Sequence, residues 1–358
     1  LAHDGTEADF YAGVDWLVAQ GVDVISYSCG WTAGFPHDGA GLPYNPVNAK
    51  VEQARAAGVL FVTSAGNSGD GDHYHAPYAS FSGTAWHSFD GDWANGVYMV
   101  AGNSYYSVLV WNDWPVDPTT SGSSHDYLLE LWRWNGTDWI VVAVSDNPQS
   151  GAPGELPVEE IEYTAAVSDW FYLTISRVDG ESADFLVLDK SARGALQHWV
   201  AASSLGSPAD SDAATTVGAV HWNGWGAEPF SSRGPTLGPR GEPTGGALKP
   251  DLAAADAVST VTYGVSDGAA WPSGTGFFGT SAACPQVAGA AALLASAYTS
   301  FDADALETRL VAQAIDQGDS GPDTTFGHGL LFLADQFLFV DAFESGNLGT
   351  WDGAAGGK

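Results

Sequence analysis

Two residues are placed to do chemistry, Ser281 and Asn67. Ser281 lies in Gly279-Thr280-Ser281-Ala282-Ala283-Cys284-Pro285-Gln286-Val287-Ala288-Gly289, ahead of the run Ala290-Ala291-Ala292-Leu293-Leu294-Ala295. Such small, strong helix formers suit a helix buried on all sides. A hydroxyl at its N-terminus sits where free N–H groups and the positive dipole end favour developing negative charge. Pro285 falls near the first turn, where a missing N–H costs little. This setting can stabilise negative charge beside a hydroxyl, although a bare Gly-Thr-Ser is more often an incidental cap. Asn67 stands in Ala65-Gly66-Asn67-Ser68-Gly69, after the apolar run Val59-Leu60-Phe61-Val62-Thr63-Ser64. On its own it reads as a turn residue.

The elements that would carry these residues repeat a simple unit. Residues 7–20 show a helical apolar face of Phe10, Val14, Leu17 and Val18, then Gly21, then a strand from Val22 to Ser28. A second helix over 48–57 is stopped by Gly58 and followed by the strand ending at Ser64. Helix, glycine and apolar strand in alternation predict a parallel α/β sheet. Ligands bind beyond the carboxyl ends of such strands, so the loops starting at Ser28 and Ala65 should line a site. Ala214–Val220 predicts another buried strand and 304–316 another helix.

Between about Phe81 and Leu205 the rhythm changes to short aromatic and β-branched segments, at 96–100, 107–111, 127–132, 139–144, 170–175 and 183–188. Turn residues such as Trp134-Asn135-Gly136-Thr137 separate them, which predicts an antiparallel sandwich or jelly roll. Nine of the fifteen tryptophans lie from Trp86 to Trp199. Filling the core of a small sandwich is their expected role, with an exposed carbohydrate- or protein-binding face as the alternative. The stretch is expected to be dispensable to a site carried by the flanking α/β segments. Asp113, Asp117 and Asp126 can offer oxygens to a structural calcium, but solvated loop acids are commoner, so no metal or cofactor is assigned.

The motif around Ser281 resembles the nucleophile segment of the subtilisin-like serine peptidases: Gly-Thr-Ser, small residues, Pro, His, Val, Ala, Gly. Two positions depart from it, Ala282 for the usual Met and Gln286 for the usual His. The resemblance continues in Phe230-Ser231-Ser232-Arg233-Gly234-Pro235, Lys249-Pro250-Asp251 and the closing Phe326-Gly327-His328-Gly329, in the family's order. It implies Ser281 as nucleophile and Asn67 as the oxyanion-hole donor. It also implies that Ser28-Cys29-Gly30 and Ser64-Ala65-Gly66 line the substrate. The fold implied is a subtilisin-like parallel sheet flanked by helices, with its N-terminal part missing. The expected organisation is peptidase segments at 1–80 and 206–338, the β-sandwich at 81–205, and a linker or further module at 339–358.

Such a site also needs an Asp and a His before the serine. No Asp-Thr/Ser-Gly or His-Gly-Thr occurs here; His3-Asp4-Gly5 lacks the motif, and His73, His75 and His328 are expected in loops. Leu1 is not a start methionine, so the triad Asp and His are expected upstream of it. The isolated chain is then expected to be nearly inert, because a serine hydroxyl without a base is a poor nucleophile. A non-catalytic binding protein using the tryptophan-rich stretch is the alternative. The partner implied is a protein or peptide substrate.

Composition narrows the partners further. The 43 acidic and 11 basic residues give a formal charge of −32, which argues against nucleic acid and anionic membranes and fits a secreted or a salt-adapted protein without choosing between them. No apolar run is long enough to span a membrane. Cys29 and Cys284, the only cysteines, can form a bridge or remain buried thiols.

Overall fold

The computed structural model describes residues 5–32, 34–179, 184–191 and 194–333; the tail expected at 339–358, and His3, lie outside them. The chain opens with α1 (Glu7–Ala19), β1 (Val24–Tyr27), α2 (Pro46–Ala56) and β2 (Leu60–Ser64). Eight strands follow: β3 (His73–Pro77), β4 (Asn95–Met99), β5 (Ser104–Trp111), β6 (Asp126–Trp134), β7 (Trp139–Ser145), β8 (Val158–Thr164), β9 (Asp169–Asp179) and β10 (Phe185–Ser191). The α/β pattern then resumes with β11 (Ala214–His221), β12 (Leu252–Asp256), α3 (Thr280–Ala297) and α4 (Ala303–Gln313).

β1, β2, β11 and β12 form one parallel sheet in the order β1-β2-β11-β12. Side chains alternate across it. Leu60, Val62, Val217 and Leu252 pack against Ala283, Val287, Ala291 and Leu294 of α3 and Leu306 and Leu310 of α4. Ile25 and Phe61 point the other way, against Phe10 and Val14 of α1 and Val47 and Val51 of α2. The alanines of α3 let its backbone lie close to the strands, which brings its N-terminus to their carboxyl ends. Among the described residues no strand pairs with the outer side of β1.

The middle of the chain forms two antiparallel sheets, β3-β10-β5-β8 and β4-β9-β6-β7. One core joins them, including Leu109, Trp111, Leu129, Leu131, Leu173 and Leu188. Two strands escape a reading of the sequence by rhythm. β3, in His73-Tyr74-His75-Ala76-Pro77, precedes residue 81 and places His73 and His75 on a strand, not in a loop. β8 is rich in glutamate, but Glu159 is buried and held by Ser145, Asn147 and Gln149.

The outer faces of these sheets differ. That of β3-β10-β5-β8 is covered: Val108, Val110, Phe185 and Val187 cluster with Trp114, Leu237 and Tyr44. That of β4-β9-β6-β7 is open, with Trp134, Trp139, Val141 and Trp170 each more than 40% exposed. Of the nine tryptophans expected to fill a core, only Trp111 and Trp114 are buried. The remainder lie at or near the surface, because Leu, Ile, Phe and Tyr suffice to fill the space between the sheets.

Asp113 uses its carboxylate to close its own loop, accepting from Ser124 N, His125 N and Ser123 Oγ. Among the described residues no three His, Cys, Asp or Glu side chains gather as metal ligands. No helix among them is long and apolar enough to cross a membrane.

Candidate active site

The carboxyl ends of β1 and β2 and the start of α3 meet at one cleft. Ser28, Cys29 and Gly30 follow β1, Ala65, Gly66 and Asn67 follow Ser64 of β2, and Ser281 is the second residue of α3. All eight site residues expected from the sequence line a single cavity of about 240 Å³.

Asn67 is exposed but not free to rotate. Its Oδ1 accepts from Thr280 N and Thr280 Oγ1, both at 3.0 Å, and Thr280 Oγ1 accepts in turn from Gly66 N at 3.1 Å. These bonds assign Oδ1 to the helix and turn Nδ2 toward the cleft. Among the described residues neither Asn67 Nδ2 nor the Ser281 N–H donates to a protein acceptor. The two donors converge: a Cβ built on Gly279 would lie 3.5 Å from Asn67 Nδ2 and 3.7 Å from Ser281 N. Gly279 also has φ +133°, which L side chains rarely adopt, so a larger residue there would be strained and would crowd both donors.

Ser281 and Ser28 bind each other reciprocally. Ser281 Oγ donates to Ser28 O at 3.0 Å, and Ser28 Oγ donates to Ser281 O at 3.2 Å. Pro285 explains the second bond. It lies inside α3, not in its first turn, and lacks the N–H that would have bonded Ser281 O. The freed carbonyl takes the Ser28 hydroxyl instead and so ties α3 to the segment that follows β1. Among the described residues no imidazole or carboxylate hydrogen-bonds Ser281 Oγ.

The two departures from the family motif are absorbed structurally. Ala282 is buried. Gln286 Nε2 donates to Ala255 O of β12 and to Ala282 O, so it fixes α3 against the sheet. Cys29 is exposed and Cys284 buried, and both are free thiols. Burial pushes the Cys284 thiol above its ordinary range, which leaves it an unreactive core side chain.

Sequence reasoning missed three groups here. Thr280 orients Asn67, and only the geometry shows it. Asp256, at the end of β12, accepts from Gly279 N at 2.9 Å. Burial, opposed by that N–H and reinforced by neighbouring Glu228, raises the Asp256 carboxyl to about 7. Asp189 of β10 lines the cleft alongside Leu205, Gly206 and Ser207, so residues of the 81–205 stretch help to build the site. Removing the stretch would therefore take Asp189 and Leu205 out of the cleft lining.

The sequence model of the subtilase family matches residues 1–104 and 195–329. The chain belongs to the subtilase family. Residues 105–194, between the two matched segments, hold most of the antiparallel strands. Among solved structures, this subtilase is similar to the CspB protease of Clostridium perfringens at TM-score 0.62 and 16% identity, over 91% of this chain and 70% of that one. Coverage of that extent takes in much of the antiparallel region as well as the parallel sheet. MycP1 with its N-terminal propeptide removed aligns at TM-score 0.37 and 14% identity, over 92% of this chain and 66% of its own. A lanthipeptide protease aligns at TM-score 0.36 and 14% identity, over 91% and 64%. None of the curated proteins compared matches the chain.

Proposed function

We propose that this subtilase is a secreted serine endopeptidase in which Ser281 attacks a peptide carbonyl while Asn67 Nδ2 and the Ser281 N–H hold the oxyanion. The observation that carries this reading is the convergence of two unpaired donors beside the Ser281 hydroxyl, one of them locked by Thr280. Preorganised donors of this kind stabilise the charge that develops in a tetrahedral intermediate. The extended substrate lies between Ser28-Cys29-Gly30 and Ser64-Ala65-Gly66, adding its backbone to theirs. Water then releases the acyl group.

The base and its orienting acid come from sequence preceding Leu1. A strand carrying them would pair with the open side of β1, next to Ser28 and Ser281. The chain alone keeps only oxyanion-hole and binding contributions, about 10³–10⁴ over water by the magnitude known within this family. The parent gene tests this directly. An Asp-Thr/Ser-Gly and a His-Gly motif are expected upstream, and the absence of both would overturn the enzyme reading.

The open aromatic face of β4-β9-β6-β7 favours one second reading, a non-catalytic binding protein. Trp134, Trp139 and Trp170 are each more than 40% exposed there. A fully assembled protein that binds polysaccharide or protein through this face but hydrolyses no peptide would establish it.

A further inference from the structure

The cleft holding Ser281 and Asn67 has one charged side chain in its lining, and it comes from the antiparallel sheets. Asp189, near the end of β10, reaches the cleft beside Leu205, Gly206 and Ser207. β10 is buried along almost its whole length, because one face fills the core between the sheets and the other packs against the α/β part. A carboxylate there is a costly placement unless it is paired or used.

Its partners are histidines. His73 Nδ1 lies 2.5 Å from Asp189 Oδ1, and His73 Nε2 lies 3.0 Å from His75 Nδ1. His37 Nε2 stands 3.3 Å from Asp189 Oδ2, and His37 Nδ1 lies 3.1 Å from Leu205 O. A carboxylate offers about four acceptor sites, so one contact on each oxygen leaves lone pairs for a ligand. Burial works against ionisation, but His73 foremost, then His37, outweighs it and holds the Asp189 carboxyl below its ordinary range. His75 itself is pushed down to about 4 by burial and by His73, so it adds no charge at neutral pH. The adjacent Lys190 is engaged by Asp72. The rest of the lining is uncharged, with hydroxyls from Ser28, Ser64, Ser204 and Ser207.

We infer that Asp189 sets substrate preference, selecting a lysine or arginine side chain on the residue that supplies the scissile carbonyl. This rests on the peptidase reading above. With that carbonyl held at Ser281 and Asn67, the side chain enters between the ends of β1 and β2. Its cationic tip meets Asp189 and the surrounding hydroxyls. The antiparallel region is thus a supplier of specificity to the cleft, through a strand that sequence rhythm alone would assign to a separate module.

The test uses the full-length protein and three Ser-directed probes: a simple fluorophosphonate, and peptidyl phosphonates ending in lysine or in alanine. The lysine probe is expected to react on the order of 10²-fold faster than the alanine probe, and Asp189→Asn should collapse that ratio toward one. A role confined to holding His73 and His37 would slow both peptidyl probes alike and leave the ratio intact, which would overturn the inference. Should Asp189→Asn fail to fold, the unaltered protein still decides: benzamidine is expected to slow fluorophosphonate labelling where benzyl alcohol does not. Equal effects of the two would contradict a cation-selective pocket. Failure of the fluorophosphonate itself to label would instead remove the peptidase reading.

Discussion

The two antiparallel sheets have similar strand lengths and share one core, yet they meet the remainder of the molecule in opposite ways. β3-β10-β5-β8 is buried on both faces, its outer side covered by Tyr44 and Leu237 and its end carrying Asp189 into the cleft. β4-β9-β6-β7 is buried on one face and turns Trp134, Trp139, Val141 and Trp170 to the surface. Docking, not strand chemistry, decides which sheet reaches the cleft. Val110 and Val141 are the same residue in neighbouring sheets, one 3% and the other 42% exposed.

Matched substitutions test that contrast most strongly. Val110→Asp places an unpaired charge between the docked sheet and the α/β part and should destabilise by on the order of 4 kcal/mol or more. Val141→Asp should change stability by no more than about 0.5 kcal/mol. Urea unfolding of both variants measures the difference, and equal losses would mean that the two faces are equally buried.

A second prediction asks whether the cleft depends on the α/β half. If Asn67 is an oxyanion donor as proposed, Asn67→Ala should lower turnover by on the order of 10²–10³ with little change in KM, a magnitude established within the same family. A change confined to KM would make Asn67 a substrate-positioning residue only.

A smaller effect concerns pH. Asp256 is raised to about 7, mainly by burial. A carboxyl so raised binds its proton more tightly in the folded chain, so its contribution is present below about pH 4 and lost as pH rises toward 7. Because the effect is shared with Glu228, a loss on the order of 2 kcal/mol is expected across that window. Asp256→Asn can still accept from Gly279 N and should flatten the fall in thermal midpoint between pH 4 and pH 8. An unaltered pH profile in that variant would place the titration elsewhere.

The smallest effect returns to the open face. Trp134→Ala should alter stability by no more than about 0.5 kcal/mol, read by the same urea unfolding, since the side chain is 44% exposed.

Much of the α/β part was legible in the sequence because β1 and β2 are each announced by a helix and a glycine, and because each motif sits at a strand or helix end. That logic points to the loops after Ser28 and Ser64, whereas Ser281 and Asn67 were singled out by the motif resemblance. The antiparallel part was legible as rhythm but not as faces. Alternation cannot say which side of a strand is inward, and the register shift at Leu131/Trp132 in the pairing of β6 with β7 obscures the pattern at that point. His73-Tyr74-His75-Ala76-Pro77 gave no strand signal, since its place in the sheet comes from pairing with β10. Asp189 and Lys190 read as the polar end of a strand. Only tertiary packing shows that both are buried, one paired with Asp72 and the other lining the cleft.

The most direct test of the central claim is covalent labelling of the full-length protein with a fluorophosphonate, followed by peptide mapping. The label should fall on Ser281, slow by on the order of 10²–10³ in Asn67→Ala, and vanish in Ser281→Ala. A folded protein carrying the upstream Asp and His that takes no label, or takes it at another residue, would contradict the assignment of Ser281 as nucleophile.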